Sequence, residues 1–427
     1  MKAVLEGRSA SFKVVFDLVE CLLKQSTSAF KAAFFIRNLY KGWDTMKTFQ
    51  LVATAASGLE AIVGKEVARL GYEPKVENGK VYFEGDLAAI ARANLWLRVA
   101  DRVKIVVGVF KATTFDELFE KTKALPWEDY LPLDAEFPVA GKSVKSTLYS
   151  VPDCQAIVKK AIVNRVSEKY RRSGRLMETG ALFKLEVSIL KDEVTLTIDT
   201  SGPGLHKRGY RLAQGSAPIK ETMAAALVLL TSWHPDRPFY DPVCGSGTIP
   251  IEAALIGQNI APGFNREFVS ETWDWMPKQI WADARQEAED LANYDQPLNI
   301  IGGDIDARLI DIAKQNAVEA GLGDLISFRQ LQVADFQTED EYGVVVANPP
   351  YGERLEDEEA VRQLYREMGI VYKRMPTWSV YVLTSYELFE EVYGKKATKK
   401  RKLYNGYLRT DLYQYWGPRK PRVKKED

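Results

Sequence analysis

Four short stretches combine residue types that could hold a ligand and act on it. The first is Phe239-Tyr240-Asp241-Pro242-Val243-Cys244-Gly245-Ser246-Gly247-Thr248, where an apolar run meets a glycine pair before a helix-like pattern. Glycines at a strand-to-helix turn let a ligand approach the backbone where a Cβ would collide with it. No lysine follows Gly247, which excludes a P-loop, and Pro250 stands where a dinucleotide fingerprint needs its third glycine. What remains is Asp-x-x-x-Gly-x-Gly, with the strand-end carboxylate of Asp241 placed to engage a cationic or hydroxylated ligand. The second stretch, Asn299-Ile300-Ile301-Gly302-Gly303-Asp304, ends an apolar strand in a carboxylate suited to both hydroxyls of a ribose. The third, Ala334-Asp335-Phe336, offers an acid and an aromatic ring that could bracket an adenine. Taken singly, each aspartate reads as a helix cap or solvated loop residue. Three successive β-α units with acidic ends together describe a nucleoside cofactor lying across the carboxyl edge of a sheet.

The fourth stretch is Asn348-Pro349-Pro350-Tyr351-Gly352, at the end of the apolar run Glu341–Ala347. Paired prolines fix φ and remove two N–H donors, leaving carbonyl oxygens to face a site. The Asn348 side-chain oxygen and the Pro349 carbonyl could accept both hydrogens of an exocyclic amine. Such a nitrogen is a poor nucleophile because its lone pair is delocalised into the base. Two acceptors favour its pyramidal form and aim the lone pair at an electrophilic methyl. Tyr351 offers a face to an extruded base, where stacking contributes roughly 1–3 kcal/mol against a few kcal/mol for flipping.

The elements around these stretches read as follows. Helical Ile249–Ile256 and Leu309–Ala320 alternate with strands at 299–304, 327–333 and 341–347, the grammar of a parallel α/β sheet. Upstream, Lys80–Phe83 after the turn Glu77-Asn78-Gly79, the β-branched run Val103–Phe110, Leu182–Ile189 and Glu193–Asp199 read as strands. Lys191-Asp192 marks a tight turn between the last two, and Cys154–Tyr170 is a helix. Ser201-Gly202-Pro203-Gly204 is the strongest linker signal. Asp241 and Asp304 are 63 residues apart, so Gly257–Pro297, with Trp273, Trp275 and Trp281, reads as an inserted helical segment whose aromatics pack, with a lid as the other role. Residues 1–45 read as an extension outside the main fold, explained by a start codon assigned too early. The alternative is a helical element, given the spacing of Phe16, Val19, Leu22 and Leu23.

Composition excludes several classes. Across 427 residues, 58 Lys and Arg balance 58 Asp and Glu, so nucleic-acid binding through bulk charge is out and local patches must serve. Cys21, Cys154 and Cys244 lie far apart, and His206 and His234 are the two histidines. Metal clusters, a disulfide framework and a Ser-His-Asp hydrolase are therefore not expected. No stretch approaches the ~20 apolar residues of a bilayer span, and Lys13, Asp17, Glu20 and Lys24 interrupt any signal-peptide core. The expectation is a cytoplasmic protein with neither membrane nor metal partner.

The segments Asp241–Ala254 and Asn348-Pro-Pro-Tyr-Gly-Glu-Arg-Leu355 resemble motifs I and IV of class I S-adenosylmethionine-dependent amino-methyltransferases. Residues 46–416 more narrowly resemble bacterial THUMP-domain RNA methyltransferases, related to the N-terminal half of the enzyme that makes N2-methylguanine in 23S rRNA. Lys142–Gln155, His206-Lys-Arg-Gly-Tyr-Arg211 and Ala217–Thr222 carry that likeness. Proteins of the group often bear the label N6-adenine-specific DNA methylase, which rests on Asn-Pro-Pro-Tyr alone. The resemblance implies an α/β chain: a ferredoxin-like region (46–110), a THUMP RNA-binding region (111–205), a Rossmann-like methyltransferase sheet (206–416) and a flexible basic tail (417–427). It implies S-adenosylmethionine held by Asp241, Cys244, Gly245, Gly247, Thr248, Asp304, Asp335 and Phe336, with Asn348, Pro349, Pro350 and Tyr351 at the chemistry.

RNA, from 23S rRNA or a ribosome-assembly intermediate, is the expected partner. Candidate contacts are Lys142, Lys145, Lys159, Lys160, Arg171, Arg172 with Arg175, Lys207 and Arg208. Lys395–Lys402 adds six basic residues in eight, ahead of an Asn405-Gly406 type I′ hairpin signal that places the cluster near the catalytic mouth. The expected reaction is methylation of a guanine N2 amine. Its rivals are N6-adenine methylation of DNA or RNA, guanine-N2 methylation of tRNA, an RNA-binding assembly factor without turnover, and a nicotinamide oxidoreductase, weakened by Pro250.

Overall fold

Val103, Lys104, Ile105 and Val106 are buried in succession, so strand β4 (Arg102–Lys111) must be covered on both faces and flanked on both edges. The computed structural model describes residues 47–172, 176–212, 219–351 and 358–421. The expectations for residues 1–45, Arg175, residues 217–218, residues 352–355 and the end of the tail fall outside them.

On one side of β4 lie β1 (Phe49–Thr54), β3 (Lys80–Gly85) and β2 (Lys75–Glu77); on the other lie β7 (Glu193–Asp199), β6 (Leu185–Leu190) and β5 (Val139–Val144). The pairing of β4 with β7 runs from Lys104↔Asp199 to Lys111↔Glu193, so the two upstream α+β regions share one seven-stranded sheet. Helices α1 (Glu60–Arg69), α2 (Leu87–Trp96), α3 (Phe115–Lys123) and α4 (Val151–Lys169) belong to this half. Asp86 caps α2 through the Ala89 N–H, and Thr114 caps α3 through the Glu117 N–H. The Lys191-Asp192 turn has positive φ at both residues, the type I′ geometry that matches strand twist.

The second sheet has the order β10-β9-β8-β11-β12-β14-β13. Its strands are β8 (Phe239–Asp241), β9 (Ile300–Asp304), β10 (Ile326–Gln330), β11 (Val344–Ala347), β12 (Ser379–Thr384), β13 (Lys399–Asn405) and β14 (Leu408–Tyr415). The first five run parallel, and the last hairpin is antiparallel to β12. From β8 the chain builds outward through β9 and β10, then returns to β8's other side with β11. The β8/β11 junction is thus the switch point, and ligands bind beyond the carboxyl ends of strands there.

Helices α5 (Glu221–Leu229) and α6 (Thr248–Gly257) are apolar nearly all round and buried, as such helices must be. They are followed by α7 (Lys278–Leu291), α8 (Ala307–Glu319), α9 (Glu358–Lys373) and α10 (Phe389–Tyr393). A core of Tyr240, Phe336, Tyr365, Trp378, Phe389 and their neighbours lies under β8, β11 and β12.

One connection and the start of the tail differ from their sequence signals. Ser201–Gly204 is composed like a linker yet is pinned: the Arg266 guanidinium donates to the Gly204 and Pro203 carbonyls at 2.7 Å each, and Arg102 donates to the Gly202 carbonyl. The tryptophans of 257–297 pack, as expected: Trp281 stacks on Phe268 at 5.1 Å within the segment, and the other two reach the first half of the chain. Trp273 stacks on Phe183 at 4.7 Å, and Trp275 stacks on Phe49 at 6.1 Å and donates to the Tyr130 carbonyl at 2.9 Å. A bidentate Arg92–Glu287 pair joins α2 to α7. The described start of the tail is also held, since Lys420 bonds the Asp236 carboxylate at 2.9 Å.

Candidate active site

Tyr240 on β8 is in register with Val345 on β11, and Asp241 with Gly302 on β9. The glycine turn, Asp304 and Asn348 therefore leave neighbouring strands at one edge. Gly245 (φ +55) and Gly247 (φ +82) shape the turn in the left-handed region. A Cβ at Gly245 would meet no atom within 4 Å, which leaves open space above the backbone; at Gly247 it would stand 2.9 Å from Ala313 Cβ. One glycine gives access and the other close packing of the turn on α8. The Gly245 N–H donates to Asp304 Oδ2 at 3.0 Å, and the Cys244 N–H donates to the Gly303 carbonyl at 2.8 Å. These bonds lock the turn to the end of β9.

Asp241 is buried and accepts the Val243 N–H at 3.1 Å. Burial pushes its carboxyl well above the ordinary range, that hydrogen bond opposes the shift, and the neighbouring Asp304 adds to it. Among the described residues no lysine or arginine forms an ion pair with either carboxylate. Two acids converging on an open glycine turn fit a cationic, hydroxyl-bearing ligand such as S-adenosylmethionine. The buried Thr248 hydroxyl accepts a bond from Arg211 at 2.9 Å; Cys244 is buried, its thiol pushed up by burial and then by Asp241 and Asp304. Asp335 is exposed at the end of a short 3-10 turn. Phe336 departs from expectation: its ring is buried and stacked on Tyr240 at 3.8 Å and 12°. That face belongs to the core rather than to an adenine, because the turn before it directs the side chain beneath the sheet.

At the end of β11, Tyr351 donates its hydroxyl hydrogen to Asn348 Oδ1 at 2.6 Å. Asn405 Nδ2, from the β13–β14 hairpin, lies 3.5 Å from the same hydroxyl oxygen. Tyr365 on α9 donates to the Pro350 carbonyl at 2.9 Å and meets Thr384 Oγ1 at 2.9 Å. The Pro350 oxygen is thereby engaged by protein, and Pro349 is buried beside the partly buried Asn348. The hairpin turns differently from the sequence signal. Asn405 pairs with Leu408 and only Gly406 has positive φ, so Gly406 takes the first central position of a type II′ turn. Because β14 reverses against β12, this tip lies at the carboxyl edge, while Lys399 and Lys400 sit toward the far edge.

The predicted RNA contacts separate by environment. Lys145, Lys160, Arg171, Arg172 and Lys207 are exposed. Lys142 is half-exposed and paired with Glu186 at 3.0 Å. Lys159 is a packing residue, 2.6 Å from Glu178 and 3.6 Å over the Phe137 ring. Arg208 is a correction: it is 4% exposed and bonds Glu252, itself fully buried on α6, at 3.2 and 3.3 Å. Lys145 precedes α4 and Arg171 follows it, so these positions are separated by a helix of 19 residues, about 28 Å.

Sequence reasoning missed three positioning residues. Asn316 on α8 donates to the Ser246 carbonyl at 3.0 Å and accepts the Leu212 N–H at 3.1 Å, holding the glycine turn. Its signal was a polar residue on the apolar Ala313–Ala317 face. Tyr365 gave the same signal between Val361 and Met368, whereas Asn405 was visible only as a turn residue.

Residues 208–414 match the UPF0020 family, described as an RMKL-like methyltransferase domain. Residues 50–104 match the RlmL ferredoxin-like domain and 112–199 the THUMP domain. "Putative RNA methyltransferase YpsC" of Bacillus subtilis (strain 168) is 64% identical over 383 residues, 90% of this chain and 100% of the relative. A crystal structure from Listeria monocytogenes str. 4b F2365, described as a predicted N6-adenine-specific DNA methylase, is 96% identical. It covers 87% of this chain and 97% of its own, with a TM-score of 0.85. A structure described as "SMU.472, a putative methyltransferase complexed with SAH" (S-adenosylhomocysteine) is 53% identical, covering 88% of this chain and 100% of its own, with a TM-score of 0.84. The chain belongs to the S-adenosylmethionine-dependent RNA methyltransferases that join an RlmL-type ferredoxin-like domain and a THUMP domain to a UPF0020 methyltransferase domain.

Proposed function

We propose that this enzyme methylates the exocyclic N2 amine of a guanine in 23S rRNA. The observation that carries the reading is the placement of Asn348 and Pro349 at the end of β11, next to the glycine turn that follows β8. When bound, S-adenosylmethionine supplies an electrophilic methyl. Asp241, Gly245 and Asp304 hold and orient that donor, and Asn348 Oδ1 with the Pro349 carbonyl grips the two amine hydrogens. Oδ1 already accepts from Tyr351 at 2.6 Å, which fixes the amide and leaves a second lone pair for the amine. Tyr365 takes the Pro350 oxygen, so the carbonyl before it serves the substrate. Tyr351 stacks the flipped base. The proton leaves to water or a carbonyl acceptor, and alignment supplies most of the acceleration.

The match of residues 50–104 to an RlmL domain supports guanine, and the THUMP match supports RNA over DNA. N6-adenine methylation is the second reading, favoured by the description of the Listeria structure and by a motif that treats both amines alike. The division 46–110, 111–205 and 206–416, with a basic tail from 417, and a cytoplasmic location belong to this proposal. Mass-spectrometric nucleoside analysis of 23S rRNA and tRNA with and without the gene tests it. Loss of one 23S N2-methylguanosine is expected. An unchanged 23S profile refutes it, and altered N6-methyladenosine or tRNA N2-methylguanosine redirects it. Calorimetry showing no cofactor binding would favour an assembly factor without turnover.

A further inference from the structure

Beside Tyr351, a cleft of about 480 Å³ opens between the first sheet and the β13–β14 hairpin. Ser57 and Asp101 line one wall; Lys220, just ahead of α5, and the tip Asn405–Tyr407 line the other. The walls are fastened together. Arg401 donates to the Gly58 carbonyl at 2.6 Å, and Gly58 (φ +92) lies so close to β13 that a Cβ would stand 3.0 Å from the Lys402 carbonyl. Glu60 holds the same turn by accepting the Gly58 and Gly79 N–H groups at 2.8 and 2.9 Å. The ferredoxin-like region is thus built onto the rim of the methyltransferase site.

Three features indicate what the cleft receives. Tyr407 is fully exposed at the tip of the hairpin, an aromatic face offered to something outside the chain. It lies two residues beyond Asn405, which approaches the Tyr351 hydroxyl, so it stands within about 7 Å of Asn405 along the backbone. Lys220 lines the cleft and is exposed, and with exposed Lys207 it adds to the burial that holds His206 down to about 4, whereas Arg208 and Arg102 are paired with Glu252 and Asp199. Among the described residues, Asp101 is the one acidic side chain lining the cleft, and burial raises its carboxyl against the pull of Lys220 and Arg102. A volume of this size lies in the range of small-ligand sites, on the order of 300–1,000 Å³, which suits a single nucleotide unit.

We propose that this cleft binds the unpaired RNA segment flanking the target nucleotide, with the adjacent base stacked on Tyr407 and its phosphate set against Lys220. Aromatic stacking with a basic partner is how unpaired RNA is held. The proposal rests on the methyltransferase reading and adds the ferredoxin-like wall to the substrate site.

The test uses full-length protein with S-adenosylhomocysteine, a fluorescein-labelled unstructured 12-nucleotide RNA and the same RNA annealed into a duplex, read by anisotropy. Tyr407→Ala is expected to weaken single-strand binding about tenfold and leave duplex binding unchanged; Tyr407→Trp should restore it. Lys220→Gln should reduce the salt dependence by about one phosphate contact. Cofactor affinity, measured by calorimetry, should match wild type in all three. Single-strand affinity of Tyr407→Ala within twofold of wild type overturns the proposal, as does a wild-type protein that binds the duplex as tightly as the single strand. Because the readout is binding, it stands apart from turnover: failed methyl transfer by wild type would refute the function above, whereas failure here would remove only the cleft.

Discussion

Replacing Arg208 by alanine separates two accounts of a basic residue that the sequence places beside Lys207. In the fold its guanidinium donates to Glu252 at 3.2 and 3.3 Å and to the Leu205 carbonyl at 2.8 Å, and Tyr210 donates to the same carboxylate at 3.1 Å. Removing one partner of a buried ion pair costs about 3–5 kcal/mol, because the other charge is left without compensation. With about 2.1 cal/mol/K per residue of unfolding entropy over roughly 380 residues, ~4 kcal/mol lowers the midpoint by about 5 °C. Differential scanning calorimetry of the purified protein reads this directly. Lys207→Ala, at an exposed site, should leave the midpoint unchanged and instead weaken RNA binding at low salt. Arg208→Met with Glu252→Leu should recover most of the loss, since apolar replacement of a buried pair is often neutral. An Arg208→Ala protein that melts within 1 °C of wild type, yet binds RNA less tightly, would refute the buried-pair account.

Three further outcomes follow from the site and the core. Asn348→Ala should lower single-turnover methyl transfer by at least about 100-fold while cofactor affinity stays within a few-fold; lost cofactor binding would misplace the reacting amine. Asp304→Ala removes the acceptor of the Gly245 N–H and should weaken cofactor binding by calorimetry about tenfold or more, with unaltered affinity removing the ribose assignment. Glu66 accepts the Arg98 and Val99 N–H groups at 3.0 and 3.2 Å; burial raises it from 4.5 to about 7, against the pull of those bonds and of Arg98 and Arg208. The folded chain then holds a proton that the unfolded chain releases, so its stability falls as pH rises from about 4.5 to about 7, by on the order of 3 kcal/mol. Denaturation across that window should show a flatter profile for Glu66→Gln than for wild type, and parallel profiles would exclude Glu66 as the source.

Much of the second half was legible because its strands are buried on both faces and therefore read as apolar runs ending in acids. Ile300–Asp304 and Val344–Ala347 lie within the stretches that the sequence marks. The strand expected at 327–333 is shorter, Ile326–Gln330, because Val333–Asp335 forms a 3-10 turn that places Phe336 in the core. The hairpin was legible as a turn, but its register was not. Asn-Gly favours a type I′ turn, whereas the β13–β14 pairing selects Gly406-Tyr407 as the central residues.

By itself the sequence marked the candidate site residues: a glycine pair after an acid, strand-end carboxylates, and an amide beside two prolines. Those depend on local backbone demands that few residue types satisfy. Tertiary structure alone decided which charges face solvent, because Lys207 and Arg208 are adjacent in sequence and opposite in environment. It also decided that the first sheet reaches the rim of the site, through the Arg401–Gly58 bond across 343 residues. No local pattern encodes such a contact, since it exists only once two separately patterned sheets have packed.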